Sequence, residues 1–168
     1  MKKYLFLLIA LFPVISAAQP KVSDAEKYIA KYHQLAINEM QLFGIPASIT
    51  LAQALHESAN GTSQLAIKAN NHFGVRCSSN WNGKRFHRNG NKKNYCFRKY
   101  NTVEEAYKDR SSFLSKNKKY AFLFKYNPQD YILWAKGLQS SGYASSRTYA
   151  KQLINTIERY NLAQFDKV

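Results

Sequence analysis

The sequence predicts an α+β fold that is mostly helical, with one small β excursion in the middle of the chain. Apolar residues recur at the spacing of amphipathic helices over residues 24–69. Glycine, asparagine and short aromatic or β-branched pieces dominate residues 70–100, which is typical of hairpins and loops. Helical spacing returns over residues 102–160. We therefore expect a helical body interrupted by one hairpin, without an internal repeat.

The chain begins with a pattern typical of a secretory signal peptide. Two lysines follow Met1, an apolar run covers residues 4–15, and small residues follow up to Ala18. Cleavage after Ala18, or after Ala17, would leave a single domain of about 150 residues, 19–168. The run is shorter than the roughly 20 residues that span a bilayer, and no cysteine stands at its end for lipid attachment. We expect an exported protein, periplasmic or extracellular, that is not inserted in a membrane.

The first two helices have clear start and stop residues. Ser23 is the expected N-cap of a helix from Asp24 to Phe43, and Gly44 ends it. Pro46 suits the first turn of a second helix, which is largely buried and runs to about Ser58. The apolar stripe of the first helix contains Tyr28, Ile29, Tyr32, Leu35, Ala36 and Met40.

The remaining elements follow from turn residues and spacing. The pair Asn60 and Gly61 stops the second helix, and Thr62 is the expected cap of a short third helix through Ala69. Another helix starts at Thr102. Three more helices are expected over residues 120–125, 128–139 and 147–160. The side chains that the Thr102 helix should turn inward are Val103, Ala106, Tyr107, Phe113 and Leu114.

The chain has two cysteines, Cys77 and Cys96, and both lie in the exported part. An oxidising compartment favours a disulfide between them, which would tie the two arms of the hairpin together. Closing such a loop contributes about 3 kcal/mol in the chain-entropy model. The alternative is a metal site that includes His72 or His87, although the spacing fits no zinc pattern.

The net charge predicts an anionic partner. Removing residues 1–18 takes away Lys2 and Lys3 and no acid, so the formal charge falls from +15 to +13. Such a protein is attracted to polyanions. We expect the anionic cell wall rather than nucleic acid, because no basic run is interleaved with a recognisable nucleic-acid motif. A monomer without a cofactor or metal ion is expected.

Glu57 is the acidic residue with the clearest chemical potential. It stands at the end of an otherwise apolar helix, where the helix dipole and desolvation both raise a carboxyl pKa. A carboxylic acid that stays protonated near neutral pH can protonate a glycosidic oxygen. A solvated glutamate near a helix end is the alternative interpretation of this position.

Several motifs in order resemble the glucosaminidase family of peptidoglycan hydrolases, which includes flagellar muramidase-like and autolysin-like domains. Residues 46–66 read PASITLAQALHESANGTSQLA, which resembles the family's proline-led helix that presents the catalytic glutamate, here Glu57. The resemblance covers residues 44–162. The further motifs are Asn70 to Val75 (NNHFGV), Trp81 to Gly83 (WNG), Gly142 to Ala144 (GYA), and Tyr149, Ala150 and Leu153.

The resemblance implies a lysozyme-like fold with a hairpin lobe beside the active-site cleft. It implies hydrolysis of the β-1,4 bond from N-acetylglucosamine to N-acetylmuramic acid, with Glu57 as general acid and Tyr143 as the second functional residue, lining the cleft opposite. The alternative interpretation of Tyr143 is a core aromatic residue beside a turn glycine. The alternative role of Asn70 and Asn71 is to cap turns, and that of Trp81 is to cover the core. The predicted substrate-binding residues are Asn70, Asn71, Phe73, Trp81 and Tyr149.

The chain also departs from the family pattern. Many members carry a second acid in the β excursion, but residues 58–103 contain no Asp or Glu. The substrate's own 2-acetamido group can then serve as nucleophile, with Tyr143 orienting it. An inverting reaction with a bound water is the alternative. Residues 145–147 read SSR where Thr-Asp-Pro is usual. A wall-binding module without catalysis, and a muramidase or lytic transglycosylase on the same fold, are the competing functions.

Overall fold

A computed structural model describes residues 22–89 and 94–167. The predicted signal peptide, 1–18, lies outside the described residues. The predicted class is confirmed, because most described residues are helical and a two-stranded sheet stands between α3 and α4. The elements in chain order are α1 (Asp24–Phe43), α2 (Ala47–Ser58), α3 (Gln64–Ala69), β1 (Arg85–Asn89), β2 (Asn94–Arg98), α4 (Val103–Lys116), a first 3-10 helix (Lys118–Lys125), α5 (Tyr131–Ser140), α6 (Tyr149–Arg159) and a second 3-10 helix (Leu162–Asp166).

Helix α1 has the predicted bounds because both ends are specified locally. Ser23 and Glu26 form a capping box, in which each side chain accepts a hydrogen bond from the other residue's backbone N–H. At the other end Gly44 adopts a left-handed conformation with φ 72°, and its N–H donates to the Met40 carbonyl at 2.7 Å. The buried face of α1 packs on α2 and α4.

Helix α2 is the central helix of the core and is buried from Ala47 to Leu55. Pro46 is its N-cap rather than a first-turn residue, and it has no side chain that can cap the helix. Asp166 of the second 3-10 helix provides the cap instead: it accepts from the Ser48 N–H at 2.8 Å and from the Ser48 hydroxyl at 2.6 Å. This closing segment was not predicted from the sequence.

Four other helix starts differ from the sequence prediction. Ser63, not Thr62, caps α3 by accepting from the Ala66 N–H, while the Thr62 hydroxyl donates back to the Ala59 carbonyl. Helix α5 starts after Asp130, whose carboxylate accepts from the Leu133 N–H, so the predicted start at residue 128 is three residues too early. Helix α6 starts at residue 149 rather than 147, and residues 118–125 form a 3-10 helix.

The hairpin pairs β1 and β2 antiparallel, with Arg85 opposite Arg98 and His87 opposite Cys96. The predicted disulfide between Cys77 and Cys96 is present and joins the hairpin to the segment after α3. Within the two described ranges no group of three metal-ligating side chains comes together, and no helix is long and apolar enough to cross a membrane.

Candidate active site

Glu57 lies in the last turn of α2, where the chain leaves the core and enters the cleft. The turn after it is fixed by Ser58, whose hydroxyl donates to the Ala54 carbonyl at 2.6 Å and accepts from the Gly61 N–H at 2.7 Å. Ala59 then adopts a left-handed conformation with φ 51°. The Glu57 side chain remains open to solvent. The surrounding protein still raises the pKa of its carboxyl, and desolvation is the cause.

Two neighbouring cavities share Glu57, Tyr143 and Arg76, and we call them together the cleft. The hairpin-side cavity has a volume of about 440 Å³ and the α6-side cavity about 450 Å³. The hairpin-side cavity is also lined by Phe73, Gly74, Val75, Ser78, Arg98, Arg110, Phe113 and Tyr120. The α6-side cavity is also lined by His56, Ala144, Ser145, Ser146, Tyr149 and Gln152.

A larger cavity of about 600 Å³ lies on the other side of His56. Its lining is mainly polar and comes from α2 and α6, but it includes no carboxyl group among the described residues. We therefore place the candidate site in the cleft on chemical grounds rather than by volume.

Tyr143 lies in the loop between α5 and α6. Its N–H donates to the Leu138 carbonyl at 3.0 Å, directly after Gly142 in a left-handed conformation. Its ring stacks on Tyr149, with centroids 5.8 Å apart. Burial raises the pKa of Tyr143, Arg110 opposes this shift, and Glu57 adds to it. Tyr143 therefore remains a neutral hydrogen-bond donor that faces the same cleft as Glu57.

Tyr149 supports Tyr143 from behind and lines the α6-side cavity. It is almost fully buried, and its hydroxyl accepts a hydrogen bond from the Gln53 amide at 2.7 Å. Burial raises its pKa well above the usual range for tyrosine. The predicted placement of Tyr149 at the cleft agrees with this geometry, and its contact with substrate remains a prediction.

Arg110 is a functional candidate that the sequence analysis did not identify. It is 1% exposed and lines the hairpin-side cavity. Its guanidinium donates to the Thr50 hydroxyl at 3.0 Å and to the Gln53 amide oxygen, while its Nε has no partner in the described part of the chain. Burial lowers its pKa, and the hydroxyls of Tyr143 and Tyr149 oppose that shift.

The sequence of α4 carries a signal for Arg110, but it does not show which acceptors this residue finds. The buried positions of this helix are 106, 107, 110, 111 and 114, which form one stripe at helical spacing. An arginine within such a stripe is almost never fully buried without a partner. Phe113 was predicted to point inward but is 45% exposed, because its side of α4 faces the hairpin-side cavity.

The predicted asparagines lie behind the cleft rather than in its lining. The Asn70 amide donates to the carbonyls of Tyr100 and Asn101. Asn71 is fully buried; its amide donates to the Val75 carbonyl at 2.9 Å and the Arg98 carbonyl at 2.8 Å, and its oxygen accepts from the Val75 N–H. These bonds use both donors of Asn71, so in this structure the residue positions the hairpin instead of facing a sugar.

Of the two aromatic residues Phe73 and Trp81 that were predicted to bind substrate, only Phe73 lines the cleft. Phe73 lines the hairpin-side cavity, although it is 4% exposed and packs edge-on against Tyr107. Trp81 is not part of the lining. Its indole N–H donates to the Lys84 carbonyl at 3.0 Å, and the Arg98 guanidinium lies 4.6 Å from its ring. Trp81 supports the base of the hairpin.

Gly74 brings the segment after Phe73 close to the acid. It has φ +64°, a conformation that favours glycine. A Cβ atom at this position would lie 3.6 Å from Glu57 Oε2, which is ordinary van der Waals contact. The absence of a side chain here therefore leaves the Glu57 carboxyl accessible from the hairpin side.

Comparison with known proteins identifies the family. A family model described as mannosyl-glycoprotein endo-beta-N-acetylglucosaminidase matches residues 33–162. Exo-glucosaminidase LytG of Bacillus subtilis is 33% identical, over 92% of this chain and 58% of its own length. Peptidoglycan hydrolase FlgJ of Escherichia coli K12 is 31% identical, over 81% of this chain and 47% of its own length. The chain thus spans about half the length of these curated relatives.

Solved structures agree with this result. The catalytic domain of the autolysin Auto from Listeria monocytogenes superposes with a TM-score of 0.76 at 25% identity, and covers 94% of this chain and 100% of that domain. A peptidoglycan hydrolase from Sphingomonas sp. A1 gives a TM-score of 0.72 at 29% identity, with 83% and 91% covered. These neighbours confirm the predicted lysozyme-like fold. The chain belongs to the glucosaminidase family of glycoside hydrolases.

Proposed function

We propose that this chain is an exported peptidoglycan hydrolase that cuts the β-1,4 bond from N-acetylglucosamine to N-acetylmuramic acid, with Glu57 as the general acid. The observation that carries the proposal is the position of Glu57, whose solvent-accessible carboxyl lies where two cavities meet and has a raised pKa. A raised pKa keeps part of the Glu57 population protonated at a pH where most surface glutamates are ionised. Protonated Glu57 then donates to the glycosidic oxygen as the bond breaks.

The shape of the cleft supports endo rather than exo cleavage. Glu57 lines both cavities, so space is present on two sides of the acid. A strand that continues past the scissile bond in both directions fits this arrangement, although LytG is named an exo-glucosaminidase. The length of the products tests the point: internal cuts in long strands release mixed lengths early, whereas exo action releases one small product throughout.

The nucleophile is the 2-acetamido oxygen of the substrate in this proposal. Within the described part of the chain, Glu57 contributes the one carboxyl group that lines the cleft. Asp109 is engaged elsewhere, because it accepts two hydrogen bonds from Arg98, each at 2.8 Å, and one from Tyr100. The two-carboxylate scheme needs a second acid near the anomeric carbon, and substrate assistance does not.

The substrate-assisted steps balance as follows. The acetamido oxygen forms a bond to the anomeric carbon while the leaving oxygen takes the proton of Glu57. The resulting oxazolinium ion is then opened by water, which returns a proton to Glu57. Tyr143 donates a hydrogen bond to the acetamide in this proposal. In the alternative, inverting route, a water held in the cleft attacks directly. Proton NMR of the fresh product decides between them, since a first-formed α-anomer would exclude the substrate-assisted route.

Digestion of purified peptidoglycan, followed by borohydride reduction and mass spectrometry, tests the bond specificity. Reduced glucosamine ends are expected. Reduced muramic ends would indicate a muramidase, and anhydromuramic ends a lytic transglycosylase. Glu57→Gln should lower turnover by at least about 100-fold, and Glu158→Gln, an exposed glutamate near the end of α6, is the matched control. Sacculus binding without hydrolysis by the wild-type protein would support the non-catalytic wall-binding module instead.

Export is a separate part of the proposal and rests on residues 1–18. The disulfide between Cys77 and Cys96 is consistent with an oxidising compartment outside the cytoplasm. N-terminal sequencing of the protein recovered from the periplasm or medium should begin at Gln19, or at Ala18 for the alternative cut. Recovery of the uncleaved chain from the cytoplasm would contradict export.

A further inference from the structure

We propose that Arg76 binds a carboxylate that the substrate carries beside the bond being cut, and so favours muramyl-containing strands over neutral ones. This inference rests on the proposed function, because it assumes a glycan strand in the cleft. Arg76 lines both the hairpin-side and the α6-side cavity, a position that it shares with Glu57 and Tyr143. A group held by Arg76 would therefore lie next to the reacting sugar.

Arg76 is the arginine of the cleft that is free to bind an anion. Arg98 is held by Asp109, because its Nη1 lies 2.8 Å from each of the two Asp109 carboxylate oxygens. Arg110 is buried and donates to Thr50 and Gln53. Arg76 is exposed and forms no ion pair within residues 22–89 and 94–167. Asp109 largely neutralises the positive charge of Arg98. The charge of Arg110 is buried in the core, whereas the charge of Arg76 faces the cleft.

The backbone of Arg76 is held in place from three directions. It forms an isolated antiparallel bridge with Phe97, and its carbonyl accepts from Arg98 Nε at 3.3 Å. The next residue, Cys77, donates its N–H to the Cys96 carbonyl at 3.0 Å and is bonded to Cys96 through the disulfide. The disulfide therefore anchors the residue that follows Arg76 directly to β2.

The side chain of Arg76 is supported as well. Its guanidinium carbon lies 4.8 Å from the centroid of the Tyr95 ring, which is the residue before Cys96. Stacking on an aromatic ring leaves the edge of a guanidinium free for a planar, two-pronged bond to a carboxylate. Because the group is already oriented, less side-chain entropy is lost when the carboxylate binds.

Of the two sugars that the scissile bond joins, only one carries such a group. N-acetylglucosamine is neutral, whereas N-acetylmuramic acid carries a lactyl group whose carboxyl is either free or joined to a stem peptide with carboxylates of its own. The shared ligand chemistry is thus a carboxylate on the muramyl unit. A polymer of N-acetylglucosamine alone lacks it.

Three substrates with the same scissile bond test the proposal. The first substrate is peptidoglycan strands with intact stem peptides. The second is amidase-treated strands, whose lactyl carboxylates are free. The third is prepared from the second by chemical amidation of those carboxylates. For each we would measure kcat/KM and reducing-end chemistry with wild type, Arg76→Gln, Arg76→Lys and Arg159→Gln. Arg159 lies outside the cleft and controls for net charge.

Arg76→Gln should lower kcat/KM about threefold to tenfold on carboxylate-bearing strands and leave the amidated strands unaffected. Arg76→Lys should recover part of the loss, and Arg159→Gln should change all three substrates equally and little. A loss on the second substrate alone would identify the lactyl carboxylate, a loss on the first alone the stem peptide, and a loss on both would show that Arg76 binds either carboxylate. An equal loss on all three substrates, or no loss on any, would overturn the role of Arg76. Wild type inert on all three would overturn the proposed function itself.

Discussion

Replacing Gly74 with alanine tests whether desolvation raises the pKa of Glu57, once the cost of the backbone conformation is subtracted with a control variant. Gly74 has φ +64°, and the added Cβ would meet Glu57 Oε2 at 3.6 Å. A contact of this length does not force any atom to move, so the change adds one methyl group beside the acid without a clash. Gly44 is the matched position, because it has φ +72° and no atom within 4 Å of its added Cβ.

The loss of stability follows from the backbone. An L-residue in the left-handed region costs about 1 to 2 kcal/mol relative to glycine. For a domain of this size, such a change lowers Tm by about 2 to 8 °C. Since neither position creates a steric overlap, Gly74→Ala and Gly44→Ala should lose similar amounts of unfolding free energy at acidic pH.

The effect on activity follows from desolvation. Burial already raises the pKa of Glu57, and a methyl group against Oε2 removes more water from the carboxylate. A general acid must be protonated, so the alkaline limb of the pH profile of kcat/KM should move to higher pH in Gly74→Ala. The raised pKa of Glu57 also means that its contribution to stability is favourable in acid and is lost as the pH rises through that pKa. The extra instability of Gly74→Ala over Gly44→Ala should therefore grow toward neutral pH.

The assay is a pH series of kcat/KM on purified glycan strands, combined with urea unfolding at acidic and neutral pH for wild type and both variants. Gly44→Ala should keep the wild-type pH profile. An unchanged alkaline limb in Gly74→Ala, with hydrolysis retained, would refute the assignment of that limb to a desolvated Glu57. A shift of the same size in Gly44→Ala would refute the local cause.

Three further changes have definite expected outcomes. Tyr143→Phe removes a hydrogen bond to a charged intermediate, which is worth about 1.5 to 3 kcal/mol, so kcat should fall about tenfold to a hundredfold while sacculus binding is retained. Serine at both Cys77 and Cys96, which are 19 residues apart, should lower the unfolding free energy in urea by about 3 kcal/mol; unchanged stability would show that the loop is held by other contacts. Asp166→Ala leaves the Ser48 N–H and hydroxyl of α2 without acceptors and should cost about 1 to 3 kcal/mol, with kcat of the folded fraction unchanged.

The sequence was most informative where structure is specified by neighbouring residues. Helix α1 has the predicted bounds because Ser23, Glu26 and Gly44 determine its ends without help from the rest of the chain. The start of α5 was placed wrongly because two side chains compete there. Asn127 accepts from the Gln129 N–H and forms a separate turn, and Asp130 then caps the helix.

Long-range partners were beyond the reach of the sequence. Asp166 caps a helix 118 residues earlier in the chain, and no local pattern connects the two. The exposure of Phe113 has the same origin, since helical spacing predicts which residues share a face but not whether that face meets the core or a cleft. Glu57 and Tyr143 were predicted as site residues because the resemblance supplied their roles, whereas Arg76 and Arg110 depend on which arginines find acceptors in the folded chain.

The polar side chains of α2 account for the position of Arg110. Thr50, Gln53 and Glu57 are three and four residues apart, so they lie on one face of a helix that is otherwise apolar. Thr50 and Gln53 accept hydrogen bonds from Arg110, and Gln53 also donates to Tyr149. One stripe of α2 thus fixes a buried cation and the tyrosine behind Tyr143, and presents the acid at its end.

This arrangement matters for the proposed role of Glu57, because a neighbouring cation would ionise a general acid. A guanidinium in contact with Glu57 would favour the carboxylate and lower its pKa, which would remove the proton that hydrolysis needs. Three arginines line the same cleft, yet burial alone shifts the pKa of Glu57, and the acid forms no ion pair with any residue in the described ranges. Arg98 is paired with Asp109, Arg110 is bonded to α2, and Arg76 rests on an aromatic ring. Each guanidinium has a support other than Glu57, so the pKa of Glu57 is raised even though three arginines line the cleft.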